Sequence, residues 1–196
     1  MYLIASAEEV FSTKRTPFLE TLQAVEAATE RRAKEIFEDL KFGELFPKEG
    51  EYAKVTLRPE MFLGIDDTAL SGTFRQNIDS TGWKTILHGD LTDRGPVGEK
   101  WVMGIAGIAI LDSAVRLSQI QIRKGDRSYA IMDIEEINRG PVAILFKVKG
   151  DEIEDLVFDY SADFYLDAYA ATTGYQTVKP IGIAFLPQKQ AIAQSY

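Results

Sequence analysis

Trp101-Val102-Met103-Gly104-Ile105-Ala106-Gly107-Ile108-Ala109-Ile110, then Val115–Ile122, Lys124-Gly125-Asp126 and Tyr129–Ile134, is the stretch that decides how this chain folds. Apolar runs of strand length follow one another with only a Lys-Gly-Asp turn or a few polar residues between them. Working outward, Tyr52–Leu57 alternates as a half-buried strand does, and further runs lie at Trp83–Leu87, Val142–Val148, Ile153–Phe158, Phe164–Ala168 and Val178–Leu186. Ser80-Thr81-Gly82, Arg94-Gly95-Pro96, Asn138-Arg139-Gly140-Pro141, Lys149-Gly150-Asp151 and Thr172-Thr173-Gly174 punctuate them as turns. A parallel sheet would need crossover helices, and these connections leave no room for them. The expectation is a mainly β, α+β protein: an antiparallel β-sandwich, as a single jelly roll, with an N-terminal amphipathic helix.

The helix is read upstream of this region. Thr16-Pro17 is a helix start, with Thr16 as N-cap and proline at the first helical position, and Gly43 is a stop. Phe18, Leu22, Val25, Ala33, Ile36 and Leu40 recur at spacings that place them on one stripe, with Thr29 filling the gap. Glu30/Lys34 and Arg31/Glu35 are i,i+4 pairs on the other side. Ser6-Ala7-Glu8-Glu9 fits a capping box, which predicts a short helix from about Ala7. The division expected is a helical arm over residues 1–45 and a β-sandwich body over 46–196, folding with the arm as one unit.

The 196 residues hold no cysteine, which excludes disulfides, thiolate zinc sites and cysteine nucleophiles. A net charge of −8 sets the chain against phosphate backbones, so strong nucleic-acid binding is not expected. Arg116, Arg123, Lys124 and Arg127 form the densest basic group, and they read as a solvated strand face and turn. No segment has the apolar length to span a bilayer. Met1–Ala5 is too short for a signal h-region, so the chain reads as made in the cytoplasm and carried into a virion or other particle.

His88-Gly89-Asp90-Leu91-Thr92-Asp93-Arg94-Gly95-Pro96 resembles the GD-x-x-DRG block of calcineurin-like metallophosphoesterases, where the aspartate after the first glycine lies at a two-metal centre. The upstream Asp-x-His and downstream Asn-His-Glu elements of that family are absent, and His88 is the only histidine. The block is therefore read as a turn loop. Asp66 and Asp67, in Gly64–Gly72, could share a proton or bind Ca²⁺, and read as Asx-turns in a polar loop. Asp66, Asp67, Asp90 and Asp93 together are what a metal-dependent hydrolase would use. The acidic run Asp151, Glu152, Glu154, Asp155 and Asp159 lacks EF-hand order and reads as a solvated hairpin and strand face. Gly104 and Gly107 sit in an apolar run, where they permit close packing or a bulge. No catalytic, metal or cofactor-binding residue is assigned, and no cofactor is expected.

Tyr160, Tyr165, Tyr169 and Tyr175 crowd the C-terminal third. Such tyrosines serve either as cross-strand pairs or as a carbohydrate- or protein-contact surface. In overall texture, residues ~50–187 resemble viral jelly-roll coat and virion proteins. That resemblance implies a self-assembling shell protein without enzymatic activity, whose partners are copies of itself and other shell proteins, with N-terminal arms joining neighbours.

Overall fold

A computed structural model describes residues 2–6, 16–39, 52–89, 101–112, 114–134, 141–146, 150–159 and 161–187. It is mainly β, with two antiparallel sheets and a helix. The strands are β1 (Tyr2–Ser6), β2 (Tyr52–Thr56), β3 (Arg75–Ile78), β4 (Gly82–Gly89), β5 (Val102–Ile110) and β6 (Leu117–Lys124), then β7 (Arg127–Asp133), β8 (Val142–Phe146), β9 (Val157–Phe158), β10 (Phe164–Ala170) and β11 (Gly174–Pro187). The helix α1 spans Thr16–Asp39. One sheet runs β1-β8-β5-β11-β2, with β3 added to β11 and β9 to β5; the other runs β4-β10-β6-β7. Every pairing is antiparallel.

The decisive apolar run is β5, buried along its whole length because both of its faces are covered. Met103, Ile105, Ile108 and Ile110 join Ile120 and Ile122 of β6 and Leu166 and Ala168 of β10 in the core between the sheets. On the opposite face, Val102 meets Ala28, Ala33 and Ile36 of α1, together with Ile183 and Phe185 of β11. The molecule is thus layered helix, sheet, sheet. Val25, Thr29, Ala33 and Ile36 are buried and Leu22 is half-buried, so the helix stripe packs on its own sheet. No described helix is long and apolar enough to cross a membrane.

Gly104 lets the helix come this close. A Cβ there would stand 2.0 Å from Thr29 Oγ1 and 2.7 Å from Val25 Cγ1. Gly107 and Gly182 sit beside the neighbouring strands in the same way: a Cβ at Gly107 would meet the Ile144 carbonyl at 2.4 Å, and one at Gly182 the Gly104 carbonyl at 2.0 Å. The β5–β11 register slips between Ile181 and Gly182, so the expected close packing and bulge both occur here.

Three elements depart from the sequence reading. Tyr2–Ser6, expected to be followed by a helix, is a strand paired to β8, so the first residues of the arm belong to the sheet; Ala7–Glu9 lie outside the described residues. β3 was not anticipated, because its inward positions are Gln76 and Ile78, and a buried glutamine hides the alternation. Ile153–Phe158, expected as a strand, is a 3₁₀ helix over Gly150–Leu156 followed by the two-residue β9. Ile153 and Leu156 are three apart, which suits the three-residue period of that helix and not the two-residue period of a strand. The Lys124-Gly125-Asp126 turn joins β6 to β7 as expected, with Gly125 at φ 57°.

Replacing Gly104 by Ala should destabilise the fold by about 1–3 kcal/mol, the usual cost of overpacking. Adding Thr29→Ala should recover part of that loss. Urea unfolding of the single and double variants measures both, and an unchanged midpoint in Gly104→Ala would show that α1 sits farther from the sheet.

Candidate functional site

Side chains of the four-stranded sheet that point away from the core form an ordered outer face. Strand alternation and register place them in rows across the strands. One row is Trp83, Tyr169, Gln119 and Asp133, and the next is Thr85, Asp167, Gln121 and Ile131. The third begins His88, Tyr165, Arg123. In the first row, Trp83 and Tyr169 meet edge to face with ring centroids 5.8 Å apart, and remain 45% and 38% exposed.

The middle row is fixed by charge. Arg123 donates from Nε to Asp167 Oδ2 at 2.5 Å and from its terminal nitrogen to Oδ1 at 3.2 Å, while Thr85 Oγ1 donates to Oδ1 at 2.8 Å. The bidentate fork neutralises Asp167 where it is buried, and the same hydrogen bond holds the guanidinium above its ordinary pKa. A groove of about 280 Å³ opens beside this pair, lined by Trp83, Lys84, Thr85, Gln121, Arg123 and Asp167.

In the third row the Tyr165 ring is flanked by its cross-strand neighbours. His88 stacks on it at 4.4 Å and 13°, and the Arg123 guanidinium lies 4.3 Å from its centroid. Burial, joined by the neighbouring Asp163 carboxylate, pushes the Tyr165 phenol above its ordinary pKa. His88 Nδ1 stands 3.2 Å from Asp67 Oδ1, and Nε2 3.8 Å from Asp163 Oδ2. The histidine of the phosphoesterase-like block thus meets Asp67 through Nδ1 and Tyr165 through its ring face, while its buried Nε2 makes no hydrogen bond among the described residues. Asp90–Pro96 lie outside the described residues.

A second cleft, about 320 Å³, lies where α1 meets the Gly150–Leu156 turn and β6. Arg32 Nε donates to Asp159 Oδ2 at 2.7 Å, Ser161 N donates to Asp159 Oδ1 at 2.8 Å, and Arg31 pairs with Glu154 at 2.6 Å. Lys124 donates to the Val157 carbonyl at 2.7 Å, and burial pushes its amine below the ordinary lysine value despite Asp159 and Asp155 nearby. These contacts clasp the helix to the body through charges that satisfy one another.

The residues singled out in the sequence separate accordingly. Arg123 and Lys124, expected on one solvated basic face, point to opposite sides of β6 because strand neighbours alternate, and each is committed to its own partner. In the acidic run, Asp159 is buried and paired, whereas Glu152, Glu154 and Asp155 are exposed on the 3₁₀ turn. Asp66 and Asp67 are exposed on a short turn, both at φ 55°. Among the described residues no group of three or more His, Asp or Glu is placed to hold a metal ion. Tyr165 and Tyr169 pair across strands with His88 and Trp83, while Tyr175 lies under the Arg75 guanidinium at 5.2 Å. Trp83, Thr85, Gln119 and Gln121 were not singled out as site residues. Their only signal is the alternation of β4 and β6 (Gly82–Gly89 and Leu117–Lys124).

Burial disfavours the Asp159 carboxylate, but hydrogen bonds from Ser161 and Arg32 outweigh that cost and hold its pKa below the ordinary value. The folded carboxyl thus titrates below the unfolded one, near 3.9. Its stabilisation should be complete above that value and vanish as pH falls through the folded pKa. Asp159→Asn should destabilise the protein by about 1–3 kcal/mol at pH 7 and flatten this acid limb. Thermal melts of both proteins from pH 2 to 7 check the expectation, and parallel curves would contradict it.

No protein-family model matches the chain, and no curated protein or solved structure matches it.

Proposed function

We propose that this chain is a self-assembling structural protein, a coat or shell component of a virion-like particle, whose body is a jelly roll. The observation that carries the reading is the pairing order. Take β2, β4, β5, β6, β7, β8, β10 and β11 as first to eighth. First then pairs with eighth (β2–β11), second with seventh (β4–β10), third with sixth (β5–β8) and fourth with fifth (β6–β7). That nested series is what a long antiparallel hairpin makes when it is rolled over itself. The joins β11–β5 and β10–β6 then divide it into two sheets. That order supports the double-sheet jelly roll found in coat proteins, lectins and cupins. A cupin metal site uses histidine, and His88, the one histidine of the chain, stands between Asp67 and Asp163 with its ring on Tyr165.

Such a body suits a shell because its sheets end in strands able to meet those of a neighbour. The helix stripe is satisfied within the chain, so α1 is not the arm that joins copies. Assembly contacts fall instead to the outer edges, β1 and β2 of the larger sheet and β4 and β7 of the smaller.

Purified protein should sediment as stable oligomers or large symmetric particles, visible by negative-stain electron microscopy. A monomer by sedimentation velocity across the accessible concentration range, with single chains on the grid, would overturn the proposal.

A further inference from the structure

We infer that the outer face of the four-stranded sheet is a binding site for a neutral oligosaccharide, with a sugar ring seated against the Trp83–Tyr169 pair and its hydroxyls met by the row Thr85, Asp167 and Gln121. Three independent features of the face converge on that ligand. The first is aromatic. Trp83 and Tyr169 are large, rigid and adjacent, and their edge-to-face contact leaves both well exposed beside the groove. The C–H face of a pyranose is flat and weakly apolar, and it can lie on one of these two perpendicular rings while the other bounds it.

The second feature is the placement of polar groups. Successive outward rows on a strand are two residues apart, about 7 Å. A sugar seated on the Trp83–Tyr169 row therefore projects hydroxyls onto Thr85, Asp167 and Gln121. The Asp167 carboxylate is held in one orientation by Arg123 and Thr85, so an arriving hydroxyl meets a preset acceptor. Gln119 and Gln121 make no side-chain hydrogen bond among the described residues. Each amide offers a donor and an acceptor together, which matches the paired character of adjacent sugar hydroxyls.

Charge is the third feature, and it selects among sugars. Arg123 is neutralised by its fork to Asp167, and Lys84 lies 3.6 Å from Asp79. The groove thus carries no cation in excess for a carboxylate, sulfate or phosphate, and the −8 net charge opposes polyanions at longer range. A protein partner laid over this face would have to desolvate Gln119 and Gln121 together with the aromatics, and each amide would need a matching group. A 1,4-linked hexopyranose supplies such groups at C2, C3 and C6.

The site uses outward side chains of the edge strand β4 and not its free backbone groups, so hexaose binding and the oligomeric state are read separately. The chain has two tryptophans, of which Trp101 is buried and Trp83 exposed, so a fluorescence change on binding reports from Trp83. The full chain is titrated with β-1,4-glucose, α-1,4-glucose, β-1,4-mannose and β-1,4-galactose hexaoses, and with 3′-sialyllactose and a heparin hexasaccharide as anionic probes. At least one neutral hexaose should give a saturable blue shift, confirmed by calorimetry. Trp83→Ala and Tyr169→Ala should each weaken that binding about tenfold or more. Circular dichroism and thermal melting of each variant should match the parent, since both side chains are exposed. Failure of every neutral hexaose to saturate, preference for an anionic probe, or undiminished binding in a folded Trp83→Ala variant (followed by calorimetry) would overturn the inference. Dispersal of oligomers by Trp83→Ala, in a protein that binds no hexaose, would also overturn it and give the face to a second copy of the chain.

Discussion

Close contact between α1 and β5 through Gly104 is the constraint on which the rest of the architecture depends. β5 lies at the centre of the larger sheet, and its residues are buried on both faces. One face meets the second sheet and the other meets α1, so the strand must be apolar throughout yet small where the helix crosses. Thr29 resolves the polar side of that contact internally. Its hydroxyl donates to the Val25 carbonyl at 2.6 Å and brings no unsatisfied group into a dry interface. A larger residue at position 104 would lift the helix and uncover Val102, Ile183 and Phe185 together.

Around this centre, charge is used locally and in pairs. Arg32 with Asp159 ties the helix side of the molecule, and Arg123 with Asp167 ties the outer face of the smaller sheet. In both pairs the carboxylate is the more buried member and the guanidinium reaches it from a half-exposed position. That arrangement lowers the desolvation cost, because the arginine head keeps part of its hydration. Buried glutamines serve the backbone in the same spirit. Gln76 accepts from Ile65 N at 2.7 Å and donates to the Ile86 carbonyl at 2.8 Å, and Gln176, its register partner on β11, accepts from Val115 N at 3.1 Å. Loops that lack ladder partners are thereby held to the sheets.

How much of this was legible in the sequence follows from the kind of signal each part carries. The helix was readable because Val25, Ala33 and Ile36 repeat at helical spacing behind Thr16-Pro17. Most strands were readable because apolar residues alternate or run continuously between turn residues. β3 was hidden by Gln76, whose burial depends on two backbone groups distant in sequence. The segment at residues 150–156 misled because Ile153 and Leu156 lie in a run that reads as a short strand, while their spacing of three is that of the 3₁₀ helix they form. The outer face was the least legible part. Trp83 and Tyr169 are far apart in the chain, and only the β4–β10 register makes them neighbours. Tyrosine density pointed to the right strand and missed the tryptophan, threonine and glutamines that share its face.

One strand also sets the order in which the chain can mature. β11 is fourteen residues long and serves three partners, β3 at its start, β5 through its middle and β2 at its end. Among the described residues β2 pairs with β11 alone, so its ladder waits until residues 183–187 arrive. During synthesis more than a hundred residues separate the two strands, and once β5 is made its β11 side stays unpaired until β11 follows. Long-range pairing of this kind is slow, and an open apolar edge invites contact with other nascent chains. The last long strand thus converts an open-edged intermediate into a paired sheet.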